Sequence, residues 1–479
     1  MASERKDDSQ LQRSMKSRHL FMLSLGGVIG TGLFLGSGLT IGQAGPGGAV
    51  VAYLVGGLLM YLVMVCLGEL SVVMPVSGSF QAHAAKFIGP ATGFAIGWLY
   101  WMSWVTTVGL EFTAAGMLMK RWFPHTPVWV WCVVFIALLF TLNALTTKGF
   151  AETEYWFAGI KVLAVIMFII IGGLAVFGVI SIHGKSAPFF SNLIGHGGPF
   201  PKGISAIFVT MMTVVYSFQG SEIMGIAAGE TEKPEKSIPK AIKTLVFRII
   251  IFYVLAIVVL SAIVPWKQAG LLESPFVKVF DMVGIPYAAD IMNFVILTAV
   301  LSVGNSGLFA STRILRSLSV DGMAPAFLKK LTKRGVPVYA LCITLAFALL
   351  SLLTSVVAAD TLFTVLLSIS GLAGTITWMV IALAQYNFRR RFIKEGGKVS
   401  DLKFKVPIFP LIPFLCIAIC LSTFVFIAFD PTQRTSLYYG FGFLTACYLY
   451  YYLRYRRKNT MPSPIVGEAD GKLIKKEEV

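Results

Sequence analysis

The sequence predicts an all-α integral membrane protein, a bundle of about twelve transmembrane helices. Of its 479 residues, 56% are apolar and only 13% are charged, whereas soluble proteins carry about 25% charged residues. Apolar runs of roughly 20 residues, the length that crosses a bilayer as a helix, follow one another along most of the chain. One membrane domain accounts for this composition better than several soluble domains do.

Each span is an apolar run that is bounded by charges or by Pro and Gly residues. In chain order the predicted spans are 19–43, 48–75, 90–119, 127–146, 154–182, 202–228, 240–264, 287–314, 337–357, 362–386, 407–428 and 436–454. A transmembrane domain over 19–454 then lies between tails at 1–18 and 455–479. The first run has the basic flank of a signal peptide but no convincing cleavage site, and further spans follow it. We therefore assign it to the mature protein.

The distribution of basic residues predicts that both tails are cytoplasmic. With the amino terminus inside, 32 of the 40 Lys and Arg residues fall in cytoplasmic segments, seven fall on the opposite side, and Lys161 lies within a span. Basic flanks are preferentially retained in the cytoplasm. The orientation therefore explains the net charge of +17 without nucleic acid, for which the chain shows no motif. Runs such as Arg389 to Arg391 suit anionic lipid headgroups of the inner leaflet.

No metal ion or cofactor is expected. The six cysteines lie within or at the ends of apolar spans and show no CxxC spacing, and the five histidines fall near span ends or in loops. Such a pattern is typical of buried thiols rather than of a metal cluster. No GxxxxGK[ST] motif for ATP binding is present either. A membrane-embedded metalloenzyme is thus not expected, and the protein is not expected to be an enzyme.

Two spans are interrupted at corresponding places, the first and the sixth. Span 1 contains the glycine-rich stretch from Gly26 to Gly32, and span 6 contains the polar stretch from Ser217 to Glu222. Such glycines either permit close helix packing or unwind the helix where it lines a cavity. Paired interruptions in two halves indicate a transporter site between inverted repeats. Backbone amides at a restarted half-helix near Gly32 would favour a substrate carboxylate.

Four ionisable residues at membrane depth are candidate functional residues, because burying each in a bilayer costs about 2.5–3.5 kcal/mol. Glu111 in span 3, one turn after Thr107, either contacts a substrate side chain or makes a structural hydrogen bond. Lys161 in span 5 either extends toward the cytoplasmic headgroups or exchanges a proton. Glu222 braces the span 6 break, carries a proton or meets a cationic side chain. Glu230, at the cytoplasmic end of span 6, is expected to form a gate or an ion pair.

Aromatic residues are assigned mainly to the membrane interfaces. Trp98, Tyr100, Trp101 and Trp104, early in span 3, are expected to anchor the helix at the interface. Phe218 is the exception, because it lies at the span 6 break and is expected to cover or stack on the substrate. Its alternative is ordinary helix packing.

The chain resembles the bacterial amino acid permeases of the amino acid–polyamine–organocation superfamily along nearly its whole length. The stretches that carry the resemblance are Gly26–Gly38 (GGVIGTGLFLGSG), Gln43–Gly48 (QAGPGG), Tyr155-Trp156-Phe157 with Lys161, Phe218–Glu230 (FQGSEIMGIAAGE), Phe294–Leu315 (FVILTAVLSVGNSGLFASTRIL) and Gly335-Val336-Pro337. The resemblance implies a 5+5 inverted repeat with broken helices 1 and 6, followed by two additional helices. It also implies alternating access around a site at the breaks, in place of a continuous pore.

The resemblance further implies roles for individual residues. The substrate carboxylate is expected on backbone amides from Val28 to Gly32, and the α-ammonium on carbonyls near Gly27, Ser217 and Phe218. Lys161 is expected to be the proton-coupling residue, because related permeases place a span 5 lysine where sodium-coupled relatives bind a cation. The full predicted substrate-binding set is Gly27, Val28, Ile29, Gly30, Thr31, Gly32, Thr107, Glu111, Ser217, Phe218, Gln219, Gly220 and Glu222.

By the same resemblance, the expected function is proton-coupled amino acid transport across the plasma membrane, with cationic substrates such as arginine, ornithine and lysine. Related neutral amino acid permeases are also acidic at the positions of Glu111 and Glu222, so neither residue fixes the substrate charge. The alternatives are a permease for histidine, γ-aminobutyrate or a neutral amino acid, an exchanger, and a nutrient sensor that binds a membrane signalling partner without significant flux.

Overall fold

The architecture is a bundle of helices, many of them long and apolar. The computed structural model describes residues 28–145, 147–182, 187–195, 197–244, 249–269, 274–332, 335–350, 359–431 and 433–455. Within these ranges the regular secondary structure is helical. Most of the two predicted tails and residues 19–27 of span 1, which include Gly27, lie outside the described residues.

The helices of the first half include both predicted breaks. They are α1 (Thr31–Phe34), α2 (Gly36–Val73), α3 (Ser79–Phe87), α4 (Pro90–Met119), α5 (Val128–Leu145), α6 (Thr147–Val176), α7 (Ser191–Ile194), α8 (Ser205–Val209), α9 (Met211–Phe218) and α10 (Ile223–Ala227). Short helices α8 to α10 occupy the region that was predicted as one span at 202–228. The sixth span is thus segmented, with a break between α9 and α10.

The helices of the second half are mostly continuous. They are α11 (Pro234–Lys243), α12 (Ala256–Ile263), which follows a π-helical stretch at Ile249–Leu255, α13 (Pro275–Val283), α14 (Ala288–Val320), α15 (Val338–Leu350), α16 (Ala359–Lys394), α17 (Leu411–Ala428) and α18 (Arg434–Tyr455). Helices α3 and α13 are short amphipathic segments between predicted spans, and α11 is a third whose last four residues overlap the start of the predicted span 240–264.

Five helical segments in the described ranges are long and apolar enough to cross a membrane. They are Gly36–Val73, Glu154–Val176, Ala288–Val320, Val365–Lys394 and Leu411–Ala428. Shorter apolar helices lie at Val128–Asn143, Ile251–Ile263 and Val338–Leu349. These lengths and compositions are typical of a protein that crosses the membrane several times.

The predicted boundary between spans 1 and 2 coincides with a kink in α2. The sequence predicted an end at residue 43 and a new start at 48, and two helical parts of α2 meet between these positions, at the non-helical residue Gly45. Gly45, with φ 77° and ψ 174°, bends the segment there, and Pro46 follows it. Because Pro lacks an amide hydrogen and glycine adopts positive φ without strain, the chain turns without a loop.

Helix α4 is the scaffold for the site. It packs along α14 and also contacts α3, α5 and α16. Trp104 and Tyr100 on α4 are fully buried, so the interpretation of these two residues as interface anchors is wrong. Each side chain fills space between helices, because the neighbours of α4 surround it on several sides.

Candidate functional site

The span 1 break lies at Val28, Ile29 and Gly30, where the backbone forms a turn before α1 begins at Thr31. The carbonyl of Gly30 accepts hydrogen bonds from the amides of Leu33 and Phe34 at 3.1 and 3.0 Å. A Cβ atom on Gly30 would collide with the side chain of Val303 on α14. Glycine is thus needed here because the broken segment lies directly against α14.

The span 6 break lies between α9 and α10. Gln219 has an extended backbone with ψ 142°, and Gly220 has φ +102°, a conformation that side-chain-bearing residues rarely adopt. Ser217 and Phe218 are the last two residues of α9, so they precede the break and lie outside the irregular segment.

The two breaks meet directly. A Cβ atom on Gly32 would collide with the Cα atom of Ser217, so the backbones of α1 and α9 touch. The Ser217 hydroxyl donates to the Gly32 carbonyl at 2.8 Å, and the Tyr53 hydroxyl lies 3.0 Å from the Ser217 hydroxyl. The missing side chain at Gly32 therefore allows the two interrupted segments to pack together.

A small cavity lies beside this junction and has room for about one water molecule. Its lining residues are Val28, Gly30, Thr31, Gly32, Trp104, Thr107, Glu111, Tyr216, Gln219 and Val303. Seven of these belong to the predicted substrate-binding set. A larger ligand needs the wall to move apart.

Glu111 is the carboxylate in the cavity wall. It accepts a hydrogen bond from the Thr31 hydroxyl at the span 1 break, and its Oε1 accepts one from the Tyr216 hydroxyl on α9 at 3.0 Å. Glu111 thus joins α4 to both broken helices. Both donors are neutral hydroxyls, so these bonds leave the charge of an ionised carboxylate facing the cavity.

Two other polar groups of the cavity wall have no hydrogen-bond partner among the described residues. They are the Gln219 Oε1 acceptor and the Trp104 Nε1 donor. The amide nitrogen of Gln219 donates to the Ser103 hydroxyl at 2.9 Å, which orients the side chain. Buried polar groups normally have partners, so an unpaired donor and acceptor in one cavity are suited to a polar ligand.

Tyr253, in the π-helical stretch, links the carbonyls of the two breaks. Its hydroxyl lies 3.1 Å from the Val28 carbonyl oxygen and 3.0 Å from the Ser217 carbonyl oxygen. Phe218 packs against Tyr253 with ring centroids 4.5 Å apart and is not among the cavity-lining residues. The structure therefore places Phe218 in a cluster of rings behind the break.

Glu222 also lies away from the cavity. Its carboxylate accepts hydrogen bonds from the Tyr100 hydroxyl at 2.9 Å, the Trp378 indole at 3.3 Å and the Gly220 amide at 3.1 Å. These contacts fix the irregular backbone at Gly220 between α4 and α16. Ile29, Ser217, Phe218 and Gly220 are likewise absent from the residues that line the cavity.

Lys161 on α6 is fully buried, and its ammonium lies 3.9 Å from the Glu154 carboxylate on the same helix. Glu154 accepts a hydrogen bond from the Ser302 hydroxyl of α14 at 2.5 Å. Sequence reasoning missed Glu154, because its charge was taken as the start of span 5. Helix α6 begins at Thr147, seven residues earlier than the predicted span.

Glu230 forms an ion pair with Arg313 of α14, at 2.9 Å between Oε1 and Nε. Both side chains are buried. The partner lies 83 residues away along the chain. Arg313 also stacks on the ring of Phe309, with its Cζ 3.9 Å from the centroid.

The residues in and around the cavity that the sequence did not identify are aromatic or aliphatic. Trp104, Tyr216 and Val303 line the cavity, and Tyr53 and Tyr253 support it. In a chain with 13% aromatic residues, such residues carry no distinguishing signal. Position offered one clue, because Tyr216 directly precedes the predicted break.

A comparison with known families matches residues 19–461 to the family described as "Amino acid permease". The match covers the predicted transmembrane domain.

Individual curated relatives agree with the family match. The amino-acid permease RocE of Bacillus subtilis (strain 168) is 55% identical over 459 residues, 96% of this chain and 98% of the relative. A putative histidine permease of the same strain is 53% identical over 455 residues, 95% and 96% of the two chains. The lysine-specific permease LysP of Escherichia coli (strain K12) is 45% identical over 419 residues, 86% and 85% of the two chains.

Proposed function

Because the chain belongs to the amino acid permease family and is therefore a multi-pass membrane transporter of amino acids, not an enzyme, we propose that it takes up cationic amino acids together with protons. The observation that carries the cationic assignment is the likeness to a lysine-specific permease, and the carboxylate of Glu111 in the cavity wall is a group that could pair with such a substrate. A guanidinium or ammonium group pairs well with a carboxylate in such a setting.

The proposed topology is that of the sequence prediction. About twelve spans form a 5+5 inverted repeat with two additional helices, the protein lies in the plasma membrane, and both tails face the cytoplasm. Support comes from the segmented sixth span and the turn at residues 28–30. The excess of basic residues in alternate connections supports the orientation, and exposed ones such as Arg390 and Arg391 would contact anionic lipids on the inner leaflet. Arg389 is not one of them, because it is buried against Glu69.

The amino acid backbone of the substrate is proposed to bind at the breaks. Its carboxylate would meet backbone amides between Val28 and Gly32, and its ammonium would meet the carbonyls of Val28 and Ser217. The Tyr253 hydroxyl now lies within hydrogen-bond distance of both carbonyls, so it marks a position where a donor can satisfy the two acceptors together. The substrate side chain would then extend toward Glu111, Thr107 and Gln219.

Proton coupling is assigned to Lys161. Its complete burial between α6 and α14 and the neighbouring carboxylate of Glu154 support this role, because an ammonium held at such a place can exchange its proton as access alternates. A cationic substrate with one proton carries two charges, worth about 4.6 kcal/mol per 100 mV of membrane potential. This driving force supports uphill uptake without ATP.

Two further glutamates are given supporting roles. Glu222 braces the Gly220 backbone through Tyr100 and Trp378, so we assign it to the shape of the site more than to direct binding. The ion pair between Glu230 and Arg313 joins the end of span 6 to α14, as expected for a cytoplasmic gate that separates when the site opens inward.

The names of the relatives provide alternative substrates that remain to be tested. One relative is named for histidine and another for lysine, and a third, 42% identical over 450 residues, is the gamma-aminobutyric acid permease of Bacillus subtilis (strain 168). Exchange of one amino acid for another, and a sensor that binds a signalling partner without flux, are the remaining alternatives.

Uptake into proteoliposomes tests the proposal. Radiolabelled arginine is offered with an inward proton gradient, against excess ornithine, lysine, histidine, alanine or γ-aminobutyrate. We expect gradient-driven uptake that the basic competitors suppress. Uptake of histidine, alanine or γ-aminobutyrate alone would refute the cationic assignment. Loading the vesicles with ornithine identifies an exchanger, and binding without flux identifies a sensor.

A further inference from the structure

The buried surroundings of Lys161 contain a second ionisable residue, Glu154. The two residues are seven positions apart on α6, which is about two helical turns, so they share a face. Long side chains on a helix point back toward its amino terminus. The Lys161 side chain thereby reaches toward Glu154, and the two charged groups lie 3.9 Å apart with both side chains at most 1% exposed.

The carboxylate of Glu154 is positioned from a second helix but is not saturated. Its Oε1 accepts the hydrogen bond from Ser302 on α14. Its Oε2 is buried and makes no hydrogen bond of good geometry in the described part of the chain, although Ser306 and Asn305 of α14 lie beside the carboxylate. The Lys161 ammonium lies nearest to Oε1, and the oxygen without a donor leaves the carboxylate able to hold a proton.

We propose that Glu154 accepts the proton from Lys161 and passes it toward the cytoplasm during each transport cycle. The proposal rests on the assignment of Lys161 as the coupling residue. In the step, one N–H bond of the ammonium breaks and an O–H bond forms on the carboxylate. A cation and an anion become a neutral amine and a neutral acid, so no net charge is created in the buried site. Charge creation there would be costly.

The direction of the step follows from the helix. The amino-terminal end of α6 follows the connection that the topology places in the cytoplasm, and Glu154 lies nearer to that end than Lys161 does. The flexible four-carbon stem of lysine allows Nζ to approach the carboxylate more closely than 3.9 Å. Glu154 is thus placed between the coupling residue and the compartment that receives the proton.

The other charged groups near this pair are few. Glu111 of α4 also acts electrostatically on Lys161, and it lies on the side of the substrate cavity. Helix α12 carries no ionisable side chain, and α14 contributes the neutral hydroxyl of Ser302 beside Glu154. The remaining ionisable residues on described segments packed against α6 are Cys132, Tyr253, Lys278, Asp281, Asp290, Arg313 and Arg316.

The test compares Glu154→Gln, Glu154→Asp and Lys161→Ala in proteoliposomes. Arginine uptake is measured over a series of internal pH values at constant external pH, and arginine binding is measured separately. In the unmodified protein, uptake should rise as the internal pH rises. Glu154→Gln should lower uptake about tenfold or more and abolish this dependence, because an amide cannot accept the proton. Its arginine binding should stay within about twofold, and Glu154→Asp should restore part of the uptake.

A hydroxyl pair provides a matched control. Ser302→Ala removes the donor that positions Glu154 and should also weaken the internal-pH dependence. Ser311→Ala, on the same helix, removes a buried hydroxyl that donates to the Leu308 carbonyl. This change should leave the dependence of uptake on internal pH unaltered. Normal uptake and pH dependence in Glu154→Gln would overturn the proposal, as would equal losses of binding and uptake in both Glu154 variants. Normal gradient-driven uptake in Lys161→Ala would instead refute the coupling assignment itself.

Discussion

Glu111 determines the charge of the cavity wall. The Glu111→Gln variant keeps the shape and both hydroxyl contacts but removes the negative charge. We expect the KM for arginine to rise about tenfold or more, because a charged hydrogen bond contributes about 1.5–3 kcal/mol. The rate of neutral amino acid uptake should not fall. Uptake kinetics with competing amino acids measure the KM for arginine and the rate of neutral amino acid uptake.

The control for this change is Thr113→Val, on the same helix. The Thr113 hydroxyl bonds to the Gly109 carbonyl at 2.9 Å and does not line the cavity, so arginine kinetics should stay unchanged. An unaltered KM for arginine in Glu111→Gln would show that the carboxylate does not meet the substrate side chain.

Gly32 provides a second prediction about a single residue. In Gly32→Ala the new methyl group would collide with the Ser217 backbone, so the two broken segments must separate. Overpacking of this kind costs about 1–3 kcal/mol, and we expect transport to be lost. Gly36→Ala is the matched control, because its nearest neighbour is the Thr213 methyl group at 3.3 Å, which can shift. Equal uptake by the two variants would contradict the proposed contact.

At the scale of the helix, a buried ion pair holds α16 and the connection between α16 and α17 against α2. Glu69 on α2 accepts hydrogen bonds from Arg389 on α16, and its Oε2 also accepts one from the Val406 amide at 2.5 Å. Glu69 is fully buried, and Arg389 is 2% exposed. Three separate parts of the chain therefore meet at one carboxylate.

Removing this carboxylate tests its contribution to stability. Glu69→Gln leaves the Arg389 guanidinium buried without its counter-charge, which costs about 3–5 kcal/mol. We expect a lower Tm in detergent. The double variant Glu69→Met with Arg389→Met should be less destabilised than the sum of the two single changes, because no unpaired charge remains. Strict additivity would indicate that the pair does not act as a unit.

Continuous apolar helices were predictable, and interactions between distant charges were not. The predicted spans 90–119 and 127–146 agree with Pro90–Met119 and Val128–Leu145 within one residue, because apolar runs end where charges and Pro begin. Helix α6 begins earlier than predicted, since Glu154 is a buried charge with partners inside the bundle. Glu69 and Arg389 are 320 residues apart, and no local pattern connects them.

The part of the site that depends on backbone conformation was predictable from the sequence. The glycine-rich and polar interruptions marked the irregular backbone at residues 28–30 and at Gln219 and Gly220, since they change the local conformation of the chain itself. Glu222 and Phe218 were expected near the substrate, but the structure places them behind the break. Which face of a broken helix lines the cavity depends on packing against α4, α14 and α16, and the sequence of one segment does not contain this information.

For the whole molecule, the prediction concerns orientation. Lys267 and Lys330 are both exposed, but the topology places Lys267 outside the cell and Lys330 in the cytoplasm. In a variant with Cys342→Ala, which removes an exposed native thiol, an impermeant maleimide added to intact cells should label Lys267→Cys and not Lys330→Cys. The reverse pattern would invert the topology.

One contact on the predicted outer surface links three helices. Arg121, which follows α4, donates to both carboxylate oxygens of Asp281 on α13 at 3.1 and 3.0 Å and to Asp290 on α14 at 2.7 Å. The hydrogen bonds with Asp281 raise the pKa of Arg121 above its ordinary value, so its charge persists at any physiological pH. The three side chains are partly exposed, and such pairs contribute at most about 1 kcal/mol.

Proton entry driven by arginine tests the proposed mechanism most directly. Proteoliposomes containing a pH-sensitive dye are held at equal internal and external pH, and arginine is added outside. Proton-coupled uptake should acidify the lumen with the unmodified protein and should leave the lumen unchanged with Lys161→Ala. Arginine entry without acidification in the unmodified protein, measured with radiolabel in parallel, would contradict proton coupling.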